Sequence, residues 1–241
     1  MNEQTLQSMK HMKLTGMHAM YESVLDLPVD KQPRPHELIA QLVDAEYHHR
    51  RDKRMNMYLR LSKMRYAATM VDISCSQKRN LSNEQLTPFM DGAYIMRAEN
   101  IAITGSTGCG KSYLACALGH QACVNGKRTM YLNMNRFIEQ IALARVDGTI
   151  IKWMNRIAKT HLLILDDFGL QQLSKELKLT LLQIMEDRYG KHSTIICSQL
   201  PVKKWYEYLD EPTLADAILD RFMNKVHRFE LKGKSMRKQE N

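Results

Sequence analysis

Eight consecutive residues carry the clearest chemistry in this 241-residue chain. Gly105-Ser106-Thr107-Gly108-Cys109-Gly110-Lys111-Ser112 satisfies every fixed position of G-x-x-x-x-G-K-[ST]. Glycine lets such a loop curl until successive backbone amides point inward, where they suit phosphate oxygens. Lys111 is placed to reach the β- and γ-phosphates of a nucleoside triphosphate, and the Ser112 hydroxyl to bind Mg²⁺. The expected nucleotide contacts are therefore Gly105, Ser106, Thr107, Gly108, Cys109, Gly110, Lys111 and Ser112, with Tyr113 beside them. An apolar run, Ile101 to Thr104, leads in. A helical pattern through Leu114, Ala115 and Leu118 leads out, and its first turn adds the positive end of a helix, from about Lys111 to Ala122.

A second stretch supplies acids. Leu162-Leu163-Ile164-Leu165-Asp166-Asp167 reads as a buried strand ending in two carboxylates. In a phosphate-loop fold the first, Asp166, is expected to hold the metal, directly or through water. The second, Asp167, is expected to polarise the attacking water.

These groups need a frame. From Asn100 onward short apolar runs alternate with helical ones: Ile101 to Thr104, Thr129 to Leu132, Leu162 to Leu165, Thr194 to Cys197 and His227 to Leu231. Strands alternating with helices give an α/β fold with a parallel sheet covered on both faces. Residues 1–67 read differently, as helices. Leu6, Met9, Met12, Met17 and Met20 recur at helical spacing, and Pro35 suits the first turn of a further helix carrying Leu38, Ile39, Leu42 and Val43. Residues 68–98 read as a connector, with Ser82-Asn83-Glu84 a helix start. The expected division is a small all-α domain, 1–67, and a nucleotide-binding domain, 68–241.

Charge points to a partner. The formal net charge is +9, and it is clustered. Residues 50–65 hold seven cations (Arg50, Arg51, Lys53, Arg54, Arg60, Lys63, Arg65) against Asp52 alone. The tail from Arg221 holds seven more against two acids. Clustering favours a polyanion-binding surface, and Arg50, Arg51, Lys53 and Arg54 are the first candidates for DNA contact. Five cysteines without a Cys-x-x-Cys pair read as free thiols of a reducing compartment. Mean hydropathy is -0.42, and neither a signal peptide nor a spanning segment is visible. The expectation is a soluble, intracellular, non-membrane protein.

The chain resembles the AAA+ ATPases, and within them the helicase-loader-like branch that holds the IstB family of insertion-sequence ATP-binding helpers. The resemblance is carried by Asn100 to Gly119, Leu162 to Gly169, Glu186 to Gly190, Ser198-Gln199-Leu200-Pro201, Leu214 to Arg221 and Gly233 to Arg237. Leu14-Thr15-Gly16-Met17 and Val43-Asp44-Ala45-Glu46 resemble the family's N-terminal helical domain. It implies an AAA+ fold with a five-stranded parallel sheet, ATP and Mg²⁺ as cofactors, and a bacterial cytoplasmic, nucleoid-associated setting. It also implies a homo-oligomer on double-stranded DNA, with ATP sites between subunits, helping a partner transposase (IstA-like) capture target DNA. Arg221 best matches a cation donated to the neighbour's ATP, with Arg188 second. Gln199 matches the polar sensor of the γ-phosphate, Ser198 being the alternative, and Arg237 a further sensor. The segment Arg136 to Lys159 matches an extra helical element that faces nucleic acid, with Arg145, Lys152 and Arg156 as its cations. Trp153 lies there too and reads as a packing residue ahead of a base-stacking one. No base-reading motif is visible, so DNA binding is expected to be sequence-indifferent and salt-sensitive. Asp167 stands where many AAA+ proteins have glutamate, which implies slow, partner- or DNA-stimulated hydrolysis. A DnaC-like replicative helicase loader is the alternative reading, and a small-molecule kinase a distant third.

Overall fold

The computed structural model describes residues 2–236; Arg237, the further sensor expected above, lies outside them. The chain divides into two compact units after Met57. That division falls inside a helix, ten residues before the expected boundary at 67. Met64, Tyr66 and Ala68 explain the difference, because they belong to the apolar cluster around the sheet of the second unit.

The first unit contains α1 (Asn2–His11), α2 (Thr15–Leu25) and the start of α3 (Pro35–Ser62). Two of the stretches singled out in the sequence meet here. Glu46, only 5% exposed, accepts hydrogen bonds from the amides of Gly16 (2.7 Å) and Met17 (3.2 Å). A carboxylate from α3 thus caps the first turn of α2, whose amides have no partner within their own helix. Gly16 is dictated by closeness, since a Cβ there would stand 2.4 Å from the carbonyl oxygen of Ala45. Arg50 completes the arrangement, 2.6 Å from Glu46.

Burial works against ionisation of Glu46, but Arg50 and the two amides outweigh it and hold the carboxyl below its ordinary range. A depressed folded value means the stabilisation is present above the ordinary carboxylate range and lost as pH falls through the folded value. Glu46→Gln is therefore expected to flatten the acid side of the stability profile. Chemical denaturation of the full chain from pH ~6 to ~3 measures this, and a variant losing stability with acid as steeply as wild type would contradict it.

The second unit takes in the end of α3, then α4 (Asn83–Leu86) and α5 (Ala93–Met96). Ser82 caps α4 by a reciprocal pair of bonds with Gln85. The body then runs β1 (Asn100–Gly105), α6 (Lys111–Val124), β2 (Thr129–Asn133), α7 (Met134–Val146), α8 (Ile150–Ala158), β3 (Leu162–Phe168), α9 (Lys175–Arg188), β4 (Ser193–Ser198), α10 (Trp205–Leu209), α11 (Pro212–Met223) and β5 (Val226–Leu231). Each strand contains one of the apolar runs read from the sequence. The five strands are parallel, in the order β2-β3-β4-β1-β5.

Alternation along the strands builds two cores. Ile101, Ile103 and Ile164 face the α6 side with Leu114 and Leu118. Ala102, Leu163 and Leu165 face the other side with Phe137, Leu181, Trp205 and Phe222. Both faces of the sheet are therefore dry across β1 to β4, while the edge strand β5 leaves Arg228 and Glu230 exposed. β1 is central and leads to β2 at the far edge, so the crevice above its carboxyl end lies at a change of winding direction, where α/β sheets bind ligands. Among the described residues no helix is long and apolar enough to cross a membrane.

Candidate nucleotide site

β1 delivers the glycine loop to that crevice. Gly105, Gly108 and Gly110 have φ of +147°, +81° and +93°, values that L side chains rarely adopt. Space forbids side chains as well: a Cβ on Gly108 would stand 2.2 Å from the Ser235 hydroxyl, and one on Gly105 2.2 Å from the carbonyl oxygen of Leu231. Lys111 opens α6 and is 7% exposed, with its Nζ donating to the Ser106 carbonyl at 2.8 Å.

A cavity of about 470 Å³ opens over the loop. That is the size of an ordinary small-molecule site. Thr107, Gly108, Gly110, Lys111, Ser112 and Tyr113 line it, whereas Gly105, Ser106 and Cys109 do not. Asp167 and Gln199 reach it from β3 and from just past β4. Gln199 Oε1 accepts from the Thr107 hydroxyl at 2.7 Å, which ties the expected sensor to the loop. The alternative, Ser198, is fully buried, donates to the Phe168 carbonyl and accepts from the Leu200 amide, so its hydroxyl is spent on the sheet end.

The two acids part company. Asp167 has φ +62°, beside an irregularity in the β3–β4 pairing between Leu165 and Phe168. This kink turns Asp167 to the cavity and leaves Asp166 fully buried behind it. Asp166 Oδ2 accepts from the Tyr131 hydroxyl at 2.5 Å and its Oδ1 from the Asp167 amide at 2.9 Å. Burial and the adjacent Asp166 carboxylate push the Tyr131 phenol far up, so it stays a donor. With both Asp166 oxygens engaged, contact with a metal through water suits this geometry better than direct ligation. The donor set fits Mg²⁺, which binds few protein groups and completes its shell with phosphate and water. Ser112, and Asp166 through water, would supply those few, and the glycine loop fits the phosphates.

The family profile described as IstB-like ATP binding protein matches residues 7–241. An insertion sequence ATP-binding protein of Sinorhizobium fredii (y4pL) is 39% identical over 234 residues, covering 97% of this chain and 96% of that one. The chain belongs to the IstB-like ATP-binding family. The ATP-binding protein of insertion sequence IS1162 from Pseudomonas fluorescens is 36% identical, with 83% and 87% covered. Among solved structures DnaI superposes with a TM-score of 0.58 at 17% identity, covering 73% of this chain and 94% of its own. The DnaC helicase loader gives 0.52 at 18% identity, covering 73% and 99%. At such identities the likeness speaks for the AAA+ fold alone.

Within this IstB-like frame the two arginines have opposite fates. Arg188 is 1% exposed, which corrects the expectation that it is a second candidate for donation to a neighbour. Its guanidinium donates to the Thr194 hydroxyl and to the carbonyls of Ile157, Thr160 and Ser193. Four of the five donors of the planar fork are used inside the chain, and the group is buried, so it is not presented to a neighbour. Arg221 is partly exposed, bonded to Glu186 and to the Ala217 carbonyl. Both flank a small second cavity of about 150 Å³, lined also by Arg97, Asn100, His192 and Lys225.

The expected DNA-facing cations are distributed unevenly. Arg51, Lys53 and Arg54 are exposed on α3, while Arg50 is committed to Glu46. On the α7–α8 pair Lys152 and Arg156 are exposed, but Arg145 is folded back onto Glu176 (2.8 Å) and Thr180 (3.1 Å) of α9. Trp153 packs at 5.9 Å from the Phe137 ring and donates to Gln140, the packing role expected of it.

Sequence reasoning missed part of the cavity wall. Tyr66, Asp72, Ser74, Arg79 and Met236 line it, Tyr66 from the end of the stretch read as the helical domain and the others from connector and tail. Arg79 donates to the Cys109 carbonyl at 3.1 Å, and the Met236 amide to the Gly108 carbonyl at 3.0 Å, bracing the loop from two sides. Nothing periodic marks these residues, and only their place beside the loop reveals them.

Proposed function

We propose that this IstB-like chain is a Mg²⁺-dependent ATPase that assembles on double-stranded DNA and helps a partner transposase engage its target during insertion-sequence transposition. The observation that carries the assembly is the position of Arg221. Arg221 lines a cavity together with Asn100, where β1 begins, whereas the glycine loop follows Gly105, where β1 ends. Six residues of strand separate the ends by roughly 17 Å at ~3.3 Å per residue. Arg221 therefore cannot serve the loop of its own chain, and its charge becomes useful to a nucleotide only across a subunit contact.

Each remaining group has a task within one chain. The loop amides and the α6 N-terminus hold phosphate oxygens, and Lys111 swings from Ser106 to the β- and γ-phosphates. Asp167 accepts a hydrogen bond from the attacking water, and Gln199, anchored by Thr107, orients that water or the γ-phosphate. Ser112, and Asp166 through water, would hold a Mg²⁺ whose charge would offset that developing on the transferring group. The exposed cations of α3 and α8 meet DNA phosphates without reading bases, which makes binding salt-sensitive and responsive to DNA shape.

Light scattering of the protein with DNA, with and without ATP, tests the reading. Wild type is expected to grow in mass with ATP. Arg221→Ala is expected to keep ATP binding but lose ~10³-fold in turnover, the low end for a donated arginine. A monomer under every condition, or Arg221→Ala turnover at the wild-type rate, would reject assembly through Arg221.

A further inference from the structure

Asp167 reaches the cavity with a cation beside it. Nη1 of Arg65 stands 3.7 Å from Asp167 Oδ2, and both side chains are partly exposed. Arg65 lies three residues past the end of α3, in a stretch the sequence presents merely as part of a basic run. Its guanidinium carbon is 5.4 Å from the centre of the Tyr66 ring, and that ring is 5.9 Å from Tyr113, the neighbour of Ser112. The Tyr131 hydroxyl, which donates to Asp166, also faces Arg65. One cation therefore touches both acids of the site, Asp167 directly and Asp166 through Tyr131.

Such a contact has a chemical consequence. A guanidinium at this distance competes for the lone pairs with which Asp167 would take the hydrogen bond of a water. At 3.7 Å the pair is looser than a direct hydrogen bond, so it opens readily. Partly exposed pairs couple weakly, which corresponds to a factor of about two to five in a rate or equilibrium.

We propose that Arg65 is a positioning residue that holds Asp167 off the attacking water and slows ATP hydrolysis. The proposal rests on the reading of Asp167 as the residue that polarises water. It gives the slow turnover expected of this site a second source, besides the short reach of an aspartate: a cation supplied by the chain itself.

The test uses the full chain, saturating Mg²⁺ and ATP for turnover, and a fluorescent ATP analogue for binding. Arg65→Gln and Arg65→Met, the latter keeping the stem over Tyr66, are each expected to raise kcat by about two- to fivefold. Analogue affinity should stay within about twofold of wild type, and Arg65→Lys should return kcat towards the wild-type value. Asp167→Asn added to either variant should abolish the gain. Unchanged or reduced kcat in whichever of the Gln and Met chains folds overturns the proposal. So does a ~10-fold loss of analogue affinity, which would make Arg65 a phosphate ligand. Turnover that survives Asp167→Asn alone overturns the reading of Asp167 and the proposal with it, a result separable from the others because it appears with Arg65 intact.

Discussion

Lys111→Ala is expected to weaken ATP binding by ~100-fold or more while leaving the fold intact. The magnitude follows from what the ammonium does. It is 7% exposed, at the start of α6, within reach of the space in front of the loop. Losing one charge-assisted contact to phosphate costs about 1.5–3 kcal/mol, and a lysine that meets two phosphates loses more than one. At about 1.4 kcal/mol per factor of ten, the sum reaches two orders of magnitude in Kd. The fold is spared because the internal hydrogen bond of the side chain goes to the carbonyl of Ser106, an exposed residue, and water can replace it. Alanine is also the best helix former and suits the first turn of α6. Calorimetric titration with ATP reads the affinity. Thermal unfolding supplies the control: ATP should raise the midpoint of wild type, as any ligand of the folded state does, and leave the variant unmoved. Equal affinities would show that the phosphates sit elsewhere.

The same comparison of local and tertiary causes explains what the sequence disclosed. The loop was legible because its chemistry is local: two glycines, a lysine and a serine at fixed spacing suffice, whatever surrounds them. Strands β1 to β4 were legible because a parallel sheet dry on both faces writes itself as continuous apolar runs, and β5 because an edge strand alternates apolar and exposed residues. Residue types at the acid pair were legible, and a role for each could be assigned, but the burial of one and the exposure of the other could not. Which of Asp166 and Asp167 meets the cavity is decided by the kink at Asp167 and by Tyr131 on the neighbouring strand. The Gly16–Glu46 contact shows the same limit, since two short stretches 30 residues apart explain each other only when α2 and α3 cross. Arg65, Tyr66 and Arg79 were least legible. They sit where the helical region runs into the sheet domain, and their spacing carries no period. The division into units differs from the expected boundary for that reason too: residues 58–62 continue α3, and residues 63–67 follow it, but all group with the sheet domain by packing.

Arg188 shows how far burial can change the meaning of a charge, and its removal is expected to have the second large effect. Arg188→Ala should cost about 3–5 kcal/mol of stability and lower the unfolding midpoint by ~10 °C. Three carbonyls, from Ile157, Thr160 and Ser193, would lose their donor inside the protein, along with the Thr194 hydroxyl. Each buried acceptor left without a partner is worth about 1–3 kcal/mol, and the void of a large side chain adds to that. Burial lowers the Arg188 guanidinium to about 9, still protonated at neutral pH, so the oxygens around it hold a full positive charge. Arg188→Lys should recover little, because a point charge cannot serve four acceptors arranged around a planar fork. An arginine donated to a neighbour would behave in the opposite way: its loss would stop hydrolysis and leave the unfolding midpoint where it was. Thermal unfolding of the Arg188 variants, beside ATP binding measured well below the midpoint, separates the two. An unshifted midpoint with lost turnover would return Arg188 to the subunit contact. The expected result instead makes it the buried pin joining the end of α9 to the starts of β3 and β4, the ground on which Glu186 orients Arg221.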